Sequence, residues 1–203
     1  VLDSAAAPGD HEENFMRLNL GCGHDRIEGY HNVDIVPDGG ADEIVDLEAL
    51  PWPWPDNAAQ EVLLKHVLEH LGRQPEVYLG IIKELWRVCR PGASVRVIVP
   101  HPRHDHYLND PTHVRPITPQ GLELFSVRRN REWLAKGFGN TPLGLQTGVD
   151  FELVSVNLVP DEIWRRRLES GEIGEVELAQ AARQLNNVIA ESQIVLRAIK
   201  VDG

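Results

Sequence analysis

A short apolar run that ends in two glycines, Arg17-Leu18-Asn19-Leu20-Gly21-Cys22-Gly23, constrains this chain more than any other segment. The run predicts a strand, and the glycines predict a sharp turn whose backbone can approach a ligand closely. Eleven residues after Gly23 comes Asp34, in the second predicted strand. A carboxylate at the end of a second strand can accept both hydroxyls of a ribose. Asp46, followed by Leu47, lies just past a third apolar run. Turn and cap duty is the other reading of both acids. A dinucleotide fingerprint would need a further glycine where Arg26 stands, which counts against nicotinamide-dependent oxidoreduction.

Strands are expected at Arg17–Leu20, His31–Ile35, Glu43–Val45, Glu61–Lys65, Ser94–Val99, Phe151–Leu158 and Gln193–Val201. Helices are expected at Val67–Leu71, Pro75–Val88 and Glu175–Ala190, and Pro91-Gly92 turns the second of these into the next strand. Thr118-Pro119 offers a capping hydroxyl followed by proline at the first helical position. This alternation describes an α/β protein. Its 203 residues suit one domain. Residues 1–14, small and acidic, read as a flexible arm, and residues 15–203 as a single domain. The stretch 101–150, rich in Pro, His, Gly and Arg, reads as a substrate lid.

The formal net charge is −11, and residues 1–50 hold 12 acids against 2 bases. Such a chain is a poor binder of nucleic acid or anionic membrane, both polyanions. The runs Arg128, Arg129, Arg131 and Arg165, Arg166, Arg167 read as solvated helix faces. No apolar run is long enough to span a membrane. Cys22 and Cys89 form neither a disulfide framework nor a four-thiolate zinc site, which points to a reducing, cytoplasmic setting. Trp52 and Trp54 read as a rigid turn packed on the core, and Cys22 as a small packed residue rather than a nucleophile.

Six segments occur in a telling order: Leu18-Asn19-Leu20-Gly21-Cys22-Gly23, Asn32-Val33-Asp34, Val45-Asp46-Leu47, Leu50-Pro51-Trp52, His66-Val67-Leu68-Glu69-His70-Leu71 and Arg90-Pro91-Gly92. Over roughly residues 17–100 the chain resembles the Rossmann-like (class I) S-adenosylmethionine-dependent methyltransferases. The resemblance implies a seven-stranded sheet, mostly parallel, with an antiparallel seventh strand and helices on both faces. It implies that Asn19, Gly21, Cys22 and Gly23 lie beside the methionine part of the cofactor S-adenosylmethionine. Asp34 would hold the ribose, Asp46 and Leu47 would border the adenine, and His66 would also touch the cofactor. Asn19 stands where the family often has an acid, and Ala59-Gln60 where it commonly has Phe-Asp.

His66, Glu69 and His70 follow the fourth predicted strand at offsets that place them on one helical face. A second histidine-rich segment, with His101, His104, His106 and His113, follows the fifth strand at the same sheet edge. The cluster resembles, more distantly, two metal-using branches of the same fold: RNA 3′-terminal ribose 2′-O-methyltransferases and ubiquinone-pathway O-methyltransferases. That likeness implies a divalent metal (Mg, Mn, Fe or Zn) on His66, Glu69, His70 and His113. Without metal, His66, His106 or His113 is the candidate general base. The expected function is O-methylation of a small-molecule acceptor (a metabolite, sugar or natural product). The rivals are RNA ribose 2′-O-methylation and a non-catalytic cofactor-binding module.

Overall fold

The protein's structure, a computed structural model, describes residues 15–200. The expected arm, residues 1–14, lies outside the described residues, as does Val201 at the end of the last expected strand. Seven strands form one sheet: β1 (Met16–Leu20), β2 (His31–Asp34), β3 (Glu43–Ile44), β4 (Ala59–Lys65), β5 (Cys89–Pro100), β6 (Phe151–Pro160) and β7 (Ile189–Ala198). Their order is β3-β2-β1-β4-β5-β7-β6. The pairings among β1 to β5 are parallel, and β7 runs antiparallel to both β5 and β6. The strand order reverses between β1 and β4, the place where an open α/β sheet leaves a crevice at its carboxyl edge.

Period-two alternation decides which face is buried. Leu18, Leu20, Val62, Leu64, Val95, Val97, Ile194 and Leu196 share one face and form the core with Ile81, Ile82 and Leu85 of α1 (Pro75–Val88). The opposite face carries Arg17, Glu61 and Arg96, with Glu61 between the two arginines at 3.9 Å from each. Among the described residues, these central strands take their helical cover from α1 on the apolar face. Residues 21–30 join the parallel strands β1 and β2 with no helix, a span too short for the usual crossover helix. The links β2–β3 and β3–β4 hold no α-helix either.

The remaining helices are α2 (Asp105–Leu108), α3 (Pro119–Glu123), α4 (Val127–Ala135), α5 (Leu143–Thr147), α6 (Glu162–Glu169) and α7 (Glu175–Gln184). Thr118 caps α3 as expected, its hydroxyl accepting from the Gly121 amide at 3.0 Å. The 101–150 segment is anchored as well as exposed: Ile117, Leu122, Phe125 and Val149 belong to the core, while Phe138 is open to solvent. The expected helix Glu175–Ala190 stops at Gln184, because Ile189 and Ala190 are drawn into β7. Trp52 and Trp54 are buried, and the Trp52 indole donates to the Leu47 carbonyl at 3.0 Å. The two arginine runs lie on α4 and α6 and pair with Glu123, Glu132, Glu162, Glu169 and Glu172, as solvated helix faces do.

Candidate functional site

Two cavities meet at the carboxyl edge and share Gly21 and His66 as lining residues. The larger, about 640 Å³, lies over the glycine turn and is also lined by Asn19, Cys22, Gly23 and Lys65. The smaller, about 200 Å³, is lined by Asp34, Asp46, Leu47, Val67 and His70. All eight residues expected beside the cofactor therefore fall on this pair of cavities. Gly21 sits at φ +68°, and a Cβ there would come within 2.3 Å of the Val67 side chain. Only glycine fits. Gly23 is also left-handed, at φ +51°, and open space surrounds the place a Cβ would take.

The acids of this half are engaged by the chain's own donors. Asp34 Oδ2 accepts from the Gly23 amide at 2.7 Å, and Oδ1 from the Val36 amide at 2.9 Å. Each oxygen keeps a lone pair for a further donor. Asp46 Oδ1 accepts from the Glu48 amide at 2.9 Å, so turn duty and ligand contact are compatible in both residues. Asn19, 2% exposed, donates its amide to the Asp25 carbonyl and to Asn32 Oδ1, both at 2.9 Å. Asn32 in turn is held by Asp42, whose backbone and side-chain bonds from Asn32 pull its carboxyl down to about 2. Burial, then the charge of Asp34, pushes the Cys22 thiol up, which suits a packed residue rather than a nucleophile.

The histidine rim is built differently. After β4 the chain turns through His66, which holds a left-handed φ of 55°, into a short 3-10 turn at Leu68–His70. A non-glycine residue held there costs about 1–3 kcal/mol and is a pointer toward function. His66 stands between two carboxylates: Nδ1 is 3.6 Å from Glu69 Oε1, and Nε2 is 3.2 Å from Glu191 Oε2. The Glu69 carboxylate beside Nδ1, with the charge of Glu191, raises its pKa against the opposing pull of burial.

Glu69 is 1% exposed, and neither of its side-chain oxygens has a hydrogen-bond partner. A buried carboxylate without donors is costly, by several kcal/mol for an isolated charge, and calls for a compensating ligand. Glu69, His70 and His113 each offer a ligand atom, all within 4.8 Å of one another. The hydrogen bonds around them assign the imidazole tautomers. Thr112 donates its one hydroxyl proton to Asp110 Oδ1 at 2.6 Å, so it accepts from His70 Nδ1 at 3.0 Å. His113 Nδ1 donates to the Tyr107 carbonyl at 2.8 Å. In their neutral form both rings then present a lone pair on Nε2, the arrangement that orients metal-binding histidines, and Asp110 Oδ2 lies 3.8 Å from that atom of His113. The donor set fits a divalent ion.

The structure brings together three of the four expected metal ligands; His66 contacts the cluster through Glu69 and is not part of the triad. His106 lies outside it too, exposed on α2 with its ring 4.2 Å from that of His104. His104 is buried, caps α2 by accepting from the His106 amide, and faces Asp161. Glu191, Tyr107 and Thr112 escaped the sequence reading. Glu191 comes from β7, and no local signal links it to His66.

No protein-family model and no curated protein sequence matches this chain. Solved structures do. A SAM-dependent methyltransferase from Archaeoglobus fulgidus superposes with a TM-score of 0.59 at 18% identity, over 90% of this chain and 86% of that one. One from Methanosarcina mazei gives 0.53 at 15% identity, over 92% and 93%. The cyclase SpnF gives 0.50 at 16% identity, over 92% and 76%. The shared property is the fold, and it hosts more than one chemistry.

Proposed function

We propose that this protein is an S-adenosylmethionine-dependent methyltransferase that methylates an oxygen of a small molecule with the help of a divalent metal. The observation that carries the metal-assisted reading is Glu69, a buried carboxylate without donors, set beside two histidines whose free nitrogens are fixed by Thr112 and Tyr107. The cofactor reading is supported by the glycine turn, which packs closely on Val67 and lines both cavities, the smaller of which Asp34 and Asp46 also line.

S-adenosylmethionine supplies a methyl group on a positively charged sulfur, which becomes a neutral thioether when the methyl leaves. Asp34 receives ribose hydroxyls on its remaining lone pairs, and Asp46 with Leu47 borders the adenine. Glu69, His70 and His113 would hold the metal, which can bind acceptor oxygens and lower the pKa of a hydroxyl. Two imidazoles and one carboxylate suit Mn, Fe or Zn better than Mg, which prefers oxygen ligands. His66, on the rim beside Glu69, is read as the general base for the hydroxyl proton. Most of the remaining catalysis is positioning. Residues 15–203 act as one domain, with acceptor choice in 101–150. Cys22 and Cys89, both buried and free, support the cytoplasmic assignment.

The test is a methyl-transfer screen with labelled S-adenosylmethionine over a panel of hydroxylated metabolites, run after chelation and again with Mg, Mn, Fe or Zn restored. Label on an acceptor oxygen that depends on the added metal is the expected result. Cofactor binding without transfer to any acceptor would select the non-catalytic module. Transfer only to an RNA ribose would select that rival.

A further inference from the structure

A cavity of about 360 Å³ lies between α1 and the chain that follows His113, sharing no lining residue with the two cavities of the glycine turn. Its walls are largely apolar, with Leu79, Ile117, Leu122, Phe125 and Leu143 among them. Arg115 interrupts them. Its guanidinium stacks on the Tyr78 ring, 4.2 Å from the centroid, and one terminal nitrogen donates to the Gly72 carbonyl at 2.9 Å. Its Nε is buried with no hydrogen-bond partner, and the residue makes no ion pair among the described residues. Tyr78 also lines the cavity; burial pushes its phenol up to about 12, so it remains a neutral donor.

A permanent cation with an unused donor in an apolar wall is incomplete. A neutral ligand would leave it unpaired, and an amine would be repelled. A carboxylate accepts from guanidinium through strong, charge-assisted bonds, while apolar walls take up the rest of the molecule. The location adds to this. The Val114 and Arg115 amides both donate to the Glu69 carbonyl, at 2.9 and 3.2 Å, so one short segment fixes His113 toward the metal triad and Arg115 toward the cavity. We propose that this cavity binds an apolar organic acid, with Arg115 pairing to its carboxylate and Ile117, Leu122 and Phe125 enclosing its body. That the acid is the methyl acceptor rests on the methyltransferase reading; that it binds here does not.

The test uses the full chain, with chelator and without S-adenosylmethionine, and three isosteric probes: cinnamate, cinnamyl alcohol and cinnamylamine. Calorimetry should show cinnamate binding roughly tenfold to a hundredfold more tightly than the alcohol, as a charge-assisted hydrogen bond provides, and the amine weakest. Arg115→Met should bring cinnamate down to the alcohol's affinity. Arg115→Lys, which keeps the charge and loses the planar fork, should retain part of the preference and serves if the first variant does not fold. Amide NMR shifts should fall on Ile117, Leu122 and Phe125. Equal binding of acid and alcohol, binding of neither, a preference unchanged in Arg115→Lys, or shifts centred on Gly21 and Asp34 overturns the proposal. Absence of this preference in the native chain, with methyl transfer intact, removes the cavity assignment alone. Carboxylate-selective binding without methyl transfer removes the methyltransferase reading alone.

Discussion

Asp34 ends one strand and Glu69 follows another at the carboxyl edge of the sheet, and the chain treats them in opposite ways. Asp34 takes an amide proton on each oxygen, one from the glycine turn and one from its own, and nearby Asp42 is likewise bonded by Asn32. Glu69 is more deeply buried and receives no proton at all. The first arrangement is complete within the protein and holds a rigid cradle before any ligand arrives. The second is incomplete, and a group from outside the chain would complete it. A carboxylate satisfied by backbone donors is scaffold first, whereas a buried one left unsatisfied marks where chemistry is to be supplied.

The contrast makes three predictions, taken from the strongest. His113→Ala should abolish methyl transfer, by roughly a hundredfold or more, while cofactor affinity measured by calorimetry stays close to that of the native chain. Retained turnover would show the rim to be scaffold like the cradle. Glu69→Gln should eliminate metal binding measured on the dialysed protein, and it should raise the melting temperature of the metal-free protein at neutral pH. Removing a buried carboxylate that accepts no hydrogen bond and is offset, among the described residues, only by His66 at 3.6 Å is worth on the order of 1 kcal/mol. A lower melting temperature would mean that Glu69 is satisfied by the fold after all.

The smallest effect belongs to the cradle. The carboxyl of Asp42 is depressed in the folded protein from 3.8 to about 2, first by its bonds from Asn32. A depressed carboxyl stabilises the fold above its unfolded value, and this is lost as pH falls through the folded value. Urea midpoints followed downward from pH 3.8 toward about 2 should therefore fall more in the native chain than in Asp42→Asn. Equal slopes would detach Asp42 from the network.

Much of the fold was legible because local rules and tertiary packing agree. The helix Pro75–Val88 runs where its apolar spacing and first-turn proline place it, and Thr118 caps as its position suggests. The misplaced boundaries lie where packing overrides periodicity. Ile189 continues a helical register, yet it pairs with Pro160 as the first residue of β7 and is buried there. β5 begins at Cys89 rather than near Ser94, because Cys89 pairs with Ala59 across a register shift. The cradle residues could be read from spacing, since a turn and the strands on either side lie close in sequence. The partners of the rim could not. Glu191 reaches His66 from β7, and Arg115 meets Tyr78 from another segment.

By itself, then, the sequence determined the alternation of strands and helices, the glycine turn, the acids that follow it and the histidines gathered on one edge. These follow from residue spacing, which acts over a few positions. Only the tertiary structure decided which acids are spent and which is left wanting, which nitrogen each rim imidazole presents, and that Arg115 opens on an apolar cavity. Those are properties of burial and hydrogen-bond closure, and a donor or its absence is settled only when distant segments meet.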